Sequence, residues 1–355
     1  MESLIVGNSY CGKVTKQLLH RVPPHSIIIV EHEDIDLVAA EDMVRKKVKA
    51  VINTKVSMSG NVPRTGMMHL QENDIPVFDI SLTMEELEDD YNYIKIENNK
   101  LFKKRNSTWT LLGTVTLYDH ERITSKQQQG KYQFQNLFRK FAMNSLDFAS
   151  FEIESFIDAV QSLPKLTDIE GKLVFLVARG GGVQEDLRMI RPFIKHNECI
   201  VIAVDGASGV LYEHQIKPNY IVGDMDSISS DANRYTSTFI AHSYMDGKSP
   251  GKSRLEQLSV ECTSIPFPGI SEDLALMLAY VSDALHIYTL GCRNSFVELI
   301  EKGRKGMGST LLTRMYAGEK ISDIKGINQW LCFQSGYPFP ETSFIKDYFN
   351  VTKEY

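Results

Sequence analysis

VDGASGVLYEHQIKPNYIVGDMDS, residues 204–227, decides the reading of the fold. It opens with Asp205-Gly206 directly after an apolar run, Cys199 to Val204 (CIVIAV). It closes with Gly223-Asp224-Met225-Asp226-Ser227 directly after a second run, Tyr220 to Val222. Short apolar runs that stop in Gly/Asp clusters have the pattern of buried parallel strands meeting their loops. In an open α/β sheet the carboxyl ends of the strands form the edge where ligands bind. Carboxylates converging there repel one another unless a cation lies among them, and hard oxygen ligands suit magnesium.

Asp224 and Asp226 stand one residue apart, which in an extended strand would point them to opposite faces. In a turn at a strand end both can face one ion. The plainer account makes one of them an Asx-turn or a helix N-cap for residues 227–233. Aspartates at successive strand ends favour the ion.

Upstream, Lys172 to Ala178 (KLVFLVA) reads as a strand and about 185–196 as a helix, with Arg179-Gly180-Gly181-Gly182 between them. Glycines before a helix N-terminus let a phosphate approach free N–H groups. No GxGxxG or Walker pattern is present, so a tight turn explains them equally well. Downstream, Thr238 to Ala241 and His286 to Leu290 read as strands and Leu274 to Ala284 as a helix. Ser271 is the expected N-cap of that helix, and Asp273 in its first turn is expected at the same sheet edge as the other aspartates. YMDGKSPG (244–251) offers Asp246 and Lys248 as a phosphate lid or as a plain loop. Residues 295–317 read as one helix, open to a break near Gly306, and 321–355 as an irregular tail.

The first 124 residues read as an α/β domain. Strands are expected at Ser26 to Val30, Val48 to Ile52 and Pro76 to Ile80, and a helix at Asp36 to Lys47. A small β-rich segment follows, at 93–96, 100–103 and 108–117, with Asn98-Asn99 as a turn. EHEDID (31–36) could ligate metal through His32 or simply start the helix. SMSGNVPRTGMMHL (57–70) could hold a phosphate or a partner's side chain, and as a bland connector needs neither. Residues 125–164 carry apolar side chains at three- and four-residue spacing, including Phe134, Phe138, Phe141, Phe151 and Phe156. That spacing predicts one long amphipathic helix, or two broken near Asn144-Ser145, buried on its flanking domains or at a homodimer seam. A Rossmann-like parallel-sheet domain over 165–320 follows.

With 355 residues there is room for about two domains. A hydrophobic share of 43% beside 24% charged residues is that of an ordinary globular chain. The formal charge of -6 argues against a nucleic-acid partner. Cys11, Cys199, Cys262, Cys292 and Cys332 form no CxxC pair, so neither a zinc site nor a disulfide framework is expected, and a reducing, cytoplasmic setting is. No apolar run approaches ~18 residues, so no transmembrane segment is expected, and the N-terminus lacks a signal-peptide pattern.

The 204–227 stretch resembles the catalytic signature of thiamin pyrophosphokinases, roughly DGG…L…PD…GD(F/M)DS. The resemblance implies that Asp224, Asp226 and Asp273 hold the Mg2+ of ATP or of another nucleotide or pyrophosphate ligand. Arg179, Gly180, Gly181, Gly182, Asp205, Gly206, Gly223 and Ser227 would line that ligand. Two elements depart from the family pattern. GISED (269–273) keeps only the last aspartate of K-D-x-T-D, and Gly291-Cys292-Arg293-Asn294-Ser295-Phe296 lacks the Asp-His of GG-R-x-D-H. No counterpart of the family's C-terminal thiamin-side β-domain is read in the tail.

Over about residues 4–330 the chain also resembles SteA-like proteins of the cytokinetic ring, through EHEDIDLVAAE, SMSGNVPRTG, ARGGGVQEDLRMIRPFI, YMDGKSPGKSRLE, GISEDLALMLA and EKGRKGMGSTLLTR. The resemblance implies a nucleotide-binding scaffold of cell division or envelope assembly, with a division or envelope protein as partner and recruitment to the division site. The alternative is an active Mg-dependent pyrophosphokinase transferring from ATP to an alcohol.

Overall fold

The computed structural model describes residues 4–87, 92–105, 107–225, 228, 236–301 and 303–330. Two units divide the chain: Met1–Lys140 with Ser295–Gly303, and Phe141–Asn294 with Arg304–Tyr355.

Unit one begins with a strand and a helix that periodicity does not announce, β1 (Ile5–Gly12) and α1 (Thr15–Arg21). Next come β2 (Ile27–Val30), α2 (Leu37–Arg45), β3 (Ala50–Asn53), α3 (Gly66–Glu72), β4 (Val77–Ile80) and α4 (Met84–Leu87). β5 (Asn92–Glu97), β6 (Lys100–Arg105) and β7 (Thr108–Leu117) complete it. β1 to β4 are mutually parallel, and β7, β6 and β5 return antiparallel from β4 to β1, closing a seven-stranded barrel. The β-rich segment is therefore not an appendage to an α/β domain but the antiparallel side of one barrel.

Alternation decides which side chains fill it. Ile27, Ile29, Ile52, Phe78, Ile94 and Leu101 join one buried cluster, whereas Ile28, Val30, Val51 and Val77 pack with Leu18, Met43 and Leu70 of the helices. Asn98 and Asn99, both with positive φ (50° and 56°), make the tight turn between β5 and β6. Asp36 accepts from the Ala39 N–H as N-cap of α2, and His32 Nδ1 lies 2.9 Å from Thr15 Oγ1. The EHEDID stretch is thus a helix start. The connector after β3 ends in α3, so its last residues are helical rather than loop.

α5 (His120–Ser162) is one unbroken helix of 43 residues. No break occurs near Asn144, whose side chain donates to the Lys305 carbonyl, and Ser145 Oγ bonds back to the Phe141 carbonyl.

Unit two holds β8 (Leu173–Val177), α6 (Val183–His196), β9 (Cys199–Val204), α7 (Ala207–Glu213), β10 (Tyr220–Gly223), β11 (Thr238–Ser243) and α8 (Pro250–Gln257). β12 (Cys262–Pro266), α9 (Ser271–Val281) and β13 (His286–Leu290) follow. All strands of the sheet are parallel, in the order β12-β11-β10-β9-β8-β13, with β14 (Ile321–Asp323) added beside β13. The tail therefore begins as an edge strand. It is secured by the buried Asp186 carboxylate, which accepts from Gly326 N (2.8 Å) and Asn328 N (3.0 Å). Residues 295–317 form two helices, α10 (Phe296–Glu301) and α11 (Gly308–Ala317), with Gly306 in the break between them. Phe296 of α10 sits edge-on to Phe134 and Phe138 within unit one.

Successive residues of each central strand serve opposite faces. Val174 and Leu176 pack with α9, α11 and the second half of α5, while Phe175 and Val177 pack with α6 and α7. Among the described residues no helix is long and apolar enough to cross a membrane.

Candidate functional site

The order of the sheet brings β8, β9 and β10 side by side, so the residues after each lie along one carboxyl edge. Arg179–Gly182 follows β8, Asp205-Gly206 follows β9, and Asp224 follows β10. α9 starts at the same edge after β12 and packs over β10, β9 and β8. Asp273 is thereby carried toward the aspartates of strands that are not its neighbours in sequence. Asp226 and Ser227 lie outside the described residues.

Asp205 has a structural part in the turn that follows β10. Its Oδ1 accepts the Met225 N–H at 3.0 Å, so it shapes the turn that carries Asp224. A Cβ on Gly223 would overlap that carboxylate, which explains why glycine precedes Asp224. Both Asp205 (φ 47°) and Met225 (φ 62°) sit in the left-handed region, strained for residues with side chains. The result is a fixed turn that leaves Asp224 exposed. The α8 end is close as well, since a Cβ on Gly251 would meet the Asp224 carbonyl. The YMDGKSPG stretch is therefore partly helix start, with Ser249 as N-cap, and Asp246 and Lys248 pair with each other.

Ile270, not Ser271, occupies the N-cap of α9, and Asp273 does the capping from inside the helix. Asp273 Oδ2 accepts from the Ile270 N–H (3.0 Å) and the Thr310 hydroxyl (2.7 Å). Oδ1 is buried with no hydrogen-bond partner among the described residues. Burial pushes the carboxyl up to about 6, against the two hydrogen bonds and the charges of Arg314 and Arg304. Its neighbour Glu272 is pushed up to about 7 by the same cause, opposed by Arg293, whose backbone N–H it accepts at 3.2 Å. A buried oxygen with no donor lacks the compensation that buried charge requires, and a cation would supply it. Asp273 and the exposed Asp224 are hard oxygen donors of the kind magnesium takes. Among the described residues no three His, Cys, Asp or Glu side chains form a metal-binding group.

The glycines after β8 have a structural role. A Cβ on Gly180 would strike the Gly291 carbonyl, and one on Gly291 (φ 62°) the Ala178 carbonyl. The loops after β8 and β13 thus pack backbone to backbone, where the chain leaves the sheet in opposite directions. Gly182 (φ 76°) is the N-cap of α6.

Three residues of the site carry no sequence signal of their own. His242, near the end of β11, has Nε2 2.8 Å from the Phe267 carbonyl, which makes that nitrogen the donor, and Nδ1 3.4 Å from Ser271 Oγ. Burial lowers its pKa, the Asp224 charge raises it and Arg304 lowers it. His242 therefore ties β11 to the α9 start. Thr310 and Arg304 arrive from a segment more than thirty residues beyond Asp273. A cavity of about 800 Å³ lies instead at the amino ends of β11 and β12, among Thr238, Lys252, Glu256 and Cys262, away from this chemistry.

The thiamin pyrophosphokinase catalytic-domain family model matches residues 193–246, the stretch that runs from α6 through β11 and carries Asp205 and Asp224. No curated protein matches the chain significantly. Among solved structures, the thiamin pyrophosphokinase of Geobacillus thermodenitrificans is similar at 19% identity, over 42% of this chain and 58% of that one, with a TM-score of 0.27. The match thus spans little more than half of that protein's length. Within a mixed α/β chain, residues 193–246 of unit two are thus similar to the thiamin pyrophosphokinase catalytic domain.

Proposed function

We propose that this chain binds a nucleotide or pyrophosphate ligand, together with magnesium, at the carboxyl edge of the unit-two sheet. The observation that carries the reading is the buried Asp273 oxygen with no hydrogen-bond partner among the described residues, at the sheet edge where the turn fixed by Asp205 leaves Asp224 exposed. Asp224 and Asp273, with Asp226, would hold the ion; when bound, it supplies positive charge to phosphate oxygens. The chain's own part is to set the two carboxylates, Asp205 through the Met225 N–H and His242 through the Phe267 carbonyl. The edge loop after β8 and the N-terminus of α6 offer N–H groups for the phosphate chain. Titration calorimetry with ATP, ADP and pyrophosphate tests the reading. Heats that appear only with magnesium are expected, and equal heats in EDTA would contradict it.

A scaffold role in cell division or envelope assembly belongs to the same proposal and is supported by the SteA-like resemblance of the sequence. Pairing of two copies through α5 is supported by Met143, Leu146, Ile153 and Ile157, all at least 36% exposed on that helix. Sedimentation velocity on the full chain is expected to give a dimer, and a monomer at tens of micromolar would remove this part.

A further inference from the structure

The antiparallel side of the unit-one barrel carries a charge opposite to that of the chain as a whole. Residues 92–117 hold Lys95, Lys100, Lys103, Lys104 and Arg105 against a single acid, Glu97, in a chain whose formal charge is -6. Alternation sorts the side chains of β5, β6 and β7 between the two faces. Ile94, Ile96 and Leu101 turn inward to the buried cluster of the barrel. Tyr93, Lys95, Phe102, Lys104, Trp109 and Leu111 take the outer face. Register sets them side by side, with Phe102 between Lys95 and Leu111, and Lys104 opposite Trp109.

Lysines lie over all three rings of this face. Lys95 Nζ is 4.8 Å from the Phe102 centroid and 5.2 Å from that of Trp109, and Lys104 Nζ is 5.6 Å from Tyr93 and 6.0 Å from Trp109. A ring holds an ammonium in place without neutralising it, so the charges form a fixed array. Among them Leu111 is 52% exposed and Tyr93 41%. Exposed leucine and tyrosine ringed by fixed cations match a lipid interface, where apolar groups enter the headgroup boundary and ammonium groups meet anionic headgroups. A single-stranded nucleic acid would use the same charges, but it stacks its bases on open ring faces and has no use for Leu111. The outside of a closed barrel is also convex, whereas a nucleic-acid strand is tracked by a groove.

We infer that the outer face of β5, β6 and β7 docks on an anionic lipid surface, with Leu111 and Tyr93 entering the headgroup boundary and Lys95, Lys100, Lys104 and Arg105 meeting the lipid phosphates. The contact is peripheral and belongs to the barrel alone. It stands apart from the unit-two site, and neither reading depends on the other.

The test is co-sedimentation of the full chain with vesicles of phosphatidylcholine alone and of phosphatidylcholine and phosphatidylserine in equal parts, each variant first checked for an unchanged melting curve. Wild type is expected to bind the mixed vesicles at least about ten-fold more tightly than the neutral ones, and less tightly as salt rises. Lys100, Lys104 and Arg105 are all exposed. Replacing the three together by Ala is expected to weaken binding by roughly 100-fold, about five-fold for each charge removed. Leu111→Ser is expected to weaken it by about five-fold with the salt dependence unchanged. Lys195→Ala with Lys217→Ala, two exposed lysines of unit two, is the control for general surface charge and is expected to stay within about two-fold of wild type. In a Trp330→Phe background, which leaves Trp109 as the one tryptophan, emission is expected to shift to the blue on mixed vesicles. Absence of binding, equal binding to both vesicle types, or an unchanged triple variant would overturn the inference. Tight binding of single-stranded oligothymidylate that quenches Trp109, without vesicle binding, would assign the face to nucleic acid and overturn it as well.

Discussion

Gly223→Ala is expected to destabilise unit two by about 3 kcal/mol, the sum of overpacking and a broken charge-assisted hydrogen bond. The new methyl group and the Asp205 carboxylate cannot occupy the same space. Asp205 must swing away, and the Met225 N–H then loses its acceptor inside a strained turn. For a unit of this size the loss corresponds to a fall in melting temperature on the order of 10 °C. Pairing it with Asp205→Ala separates cause from consequence. Once the carboxylate is gone the methyl group has room, so the double variant is expected to be more stable than the two single losses added together. A Gly223→Ala protein melting within about 1 °C of wild type would show that the turn is not built as described.

Asp224→Ala and Asp273→Ala are expected to remove the same magnesium-dependent binding by about 100-fold or more, and to differ in what else they do. Asp224 is exposed, so its loss should leave the melting curve within about 0.5 kcal/mol of wild type. Asp273 is 1% exposed and accepts from Ile270 and Thr310, so its removal uncaps α9 and frees α11. A stability cost of about 2 kcal/mol is expected there, typical of a buried group left without its partner. Two variants with equal binding loss and unequal stability loss are what a shared ligand and two different structural settings predict. Binding lost in Asp273→Ala but intact in Asp224→Ala would place the ligand elsewhere and reduce Asp273 to a helix cap.

The parts of unit two that the sequence makes plain are those where one residue type does one job. β8, β9 and β13 are nearly continuous apolar runs because both faces of the sheet are covered, and their ends are marked by Gly or Asp. β12 escaped because of its five residues only Ile265 is buried. β1 escaped for a related reason, with a single buried position in IVGNSYCG. Barrel closure has no local trace at all: β5 pairs with β1 across about ninety residues, and register set over that span leaves no short-range pattern. α5 gave itself away by its spacing, and the break between α10 and α11 falls at Gly306, a glycine that packs against α5.

At the site, the aspartates were legible and their division of labour was not. Asp205 and Asp224 look alike in sequence, but Asp205 accepts a backbone N–H of the turn while Asp224 is exposed at the edge. His242 reads as a lone histidine on a strand, and only the return of the chain after β12 supplies the carbonyl and hydroxyl it bridges. Thr310 is unremarkable in sequence until α11 brings its hydroxyl to Asp273.

The most direct test is a calorimetric titration of ATP into wild type and into Asp224→Ala, each with magnesium and again in EDTA. Saturable binding by wild type in magnesium alone, lost in Asp224→Ala at an unchanged melting temperature, is the predicted result. Equal binding by both proteins, or binding indifferent to magnesium, would contradict a metal-phosphate site at this edge of the sheet.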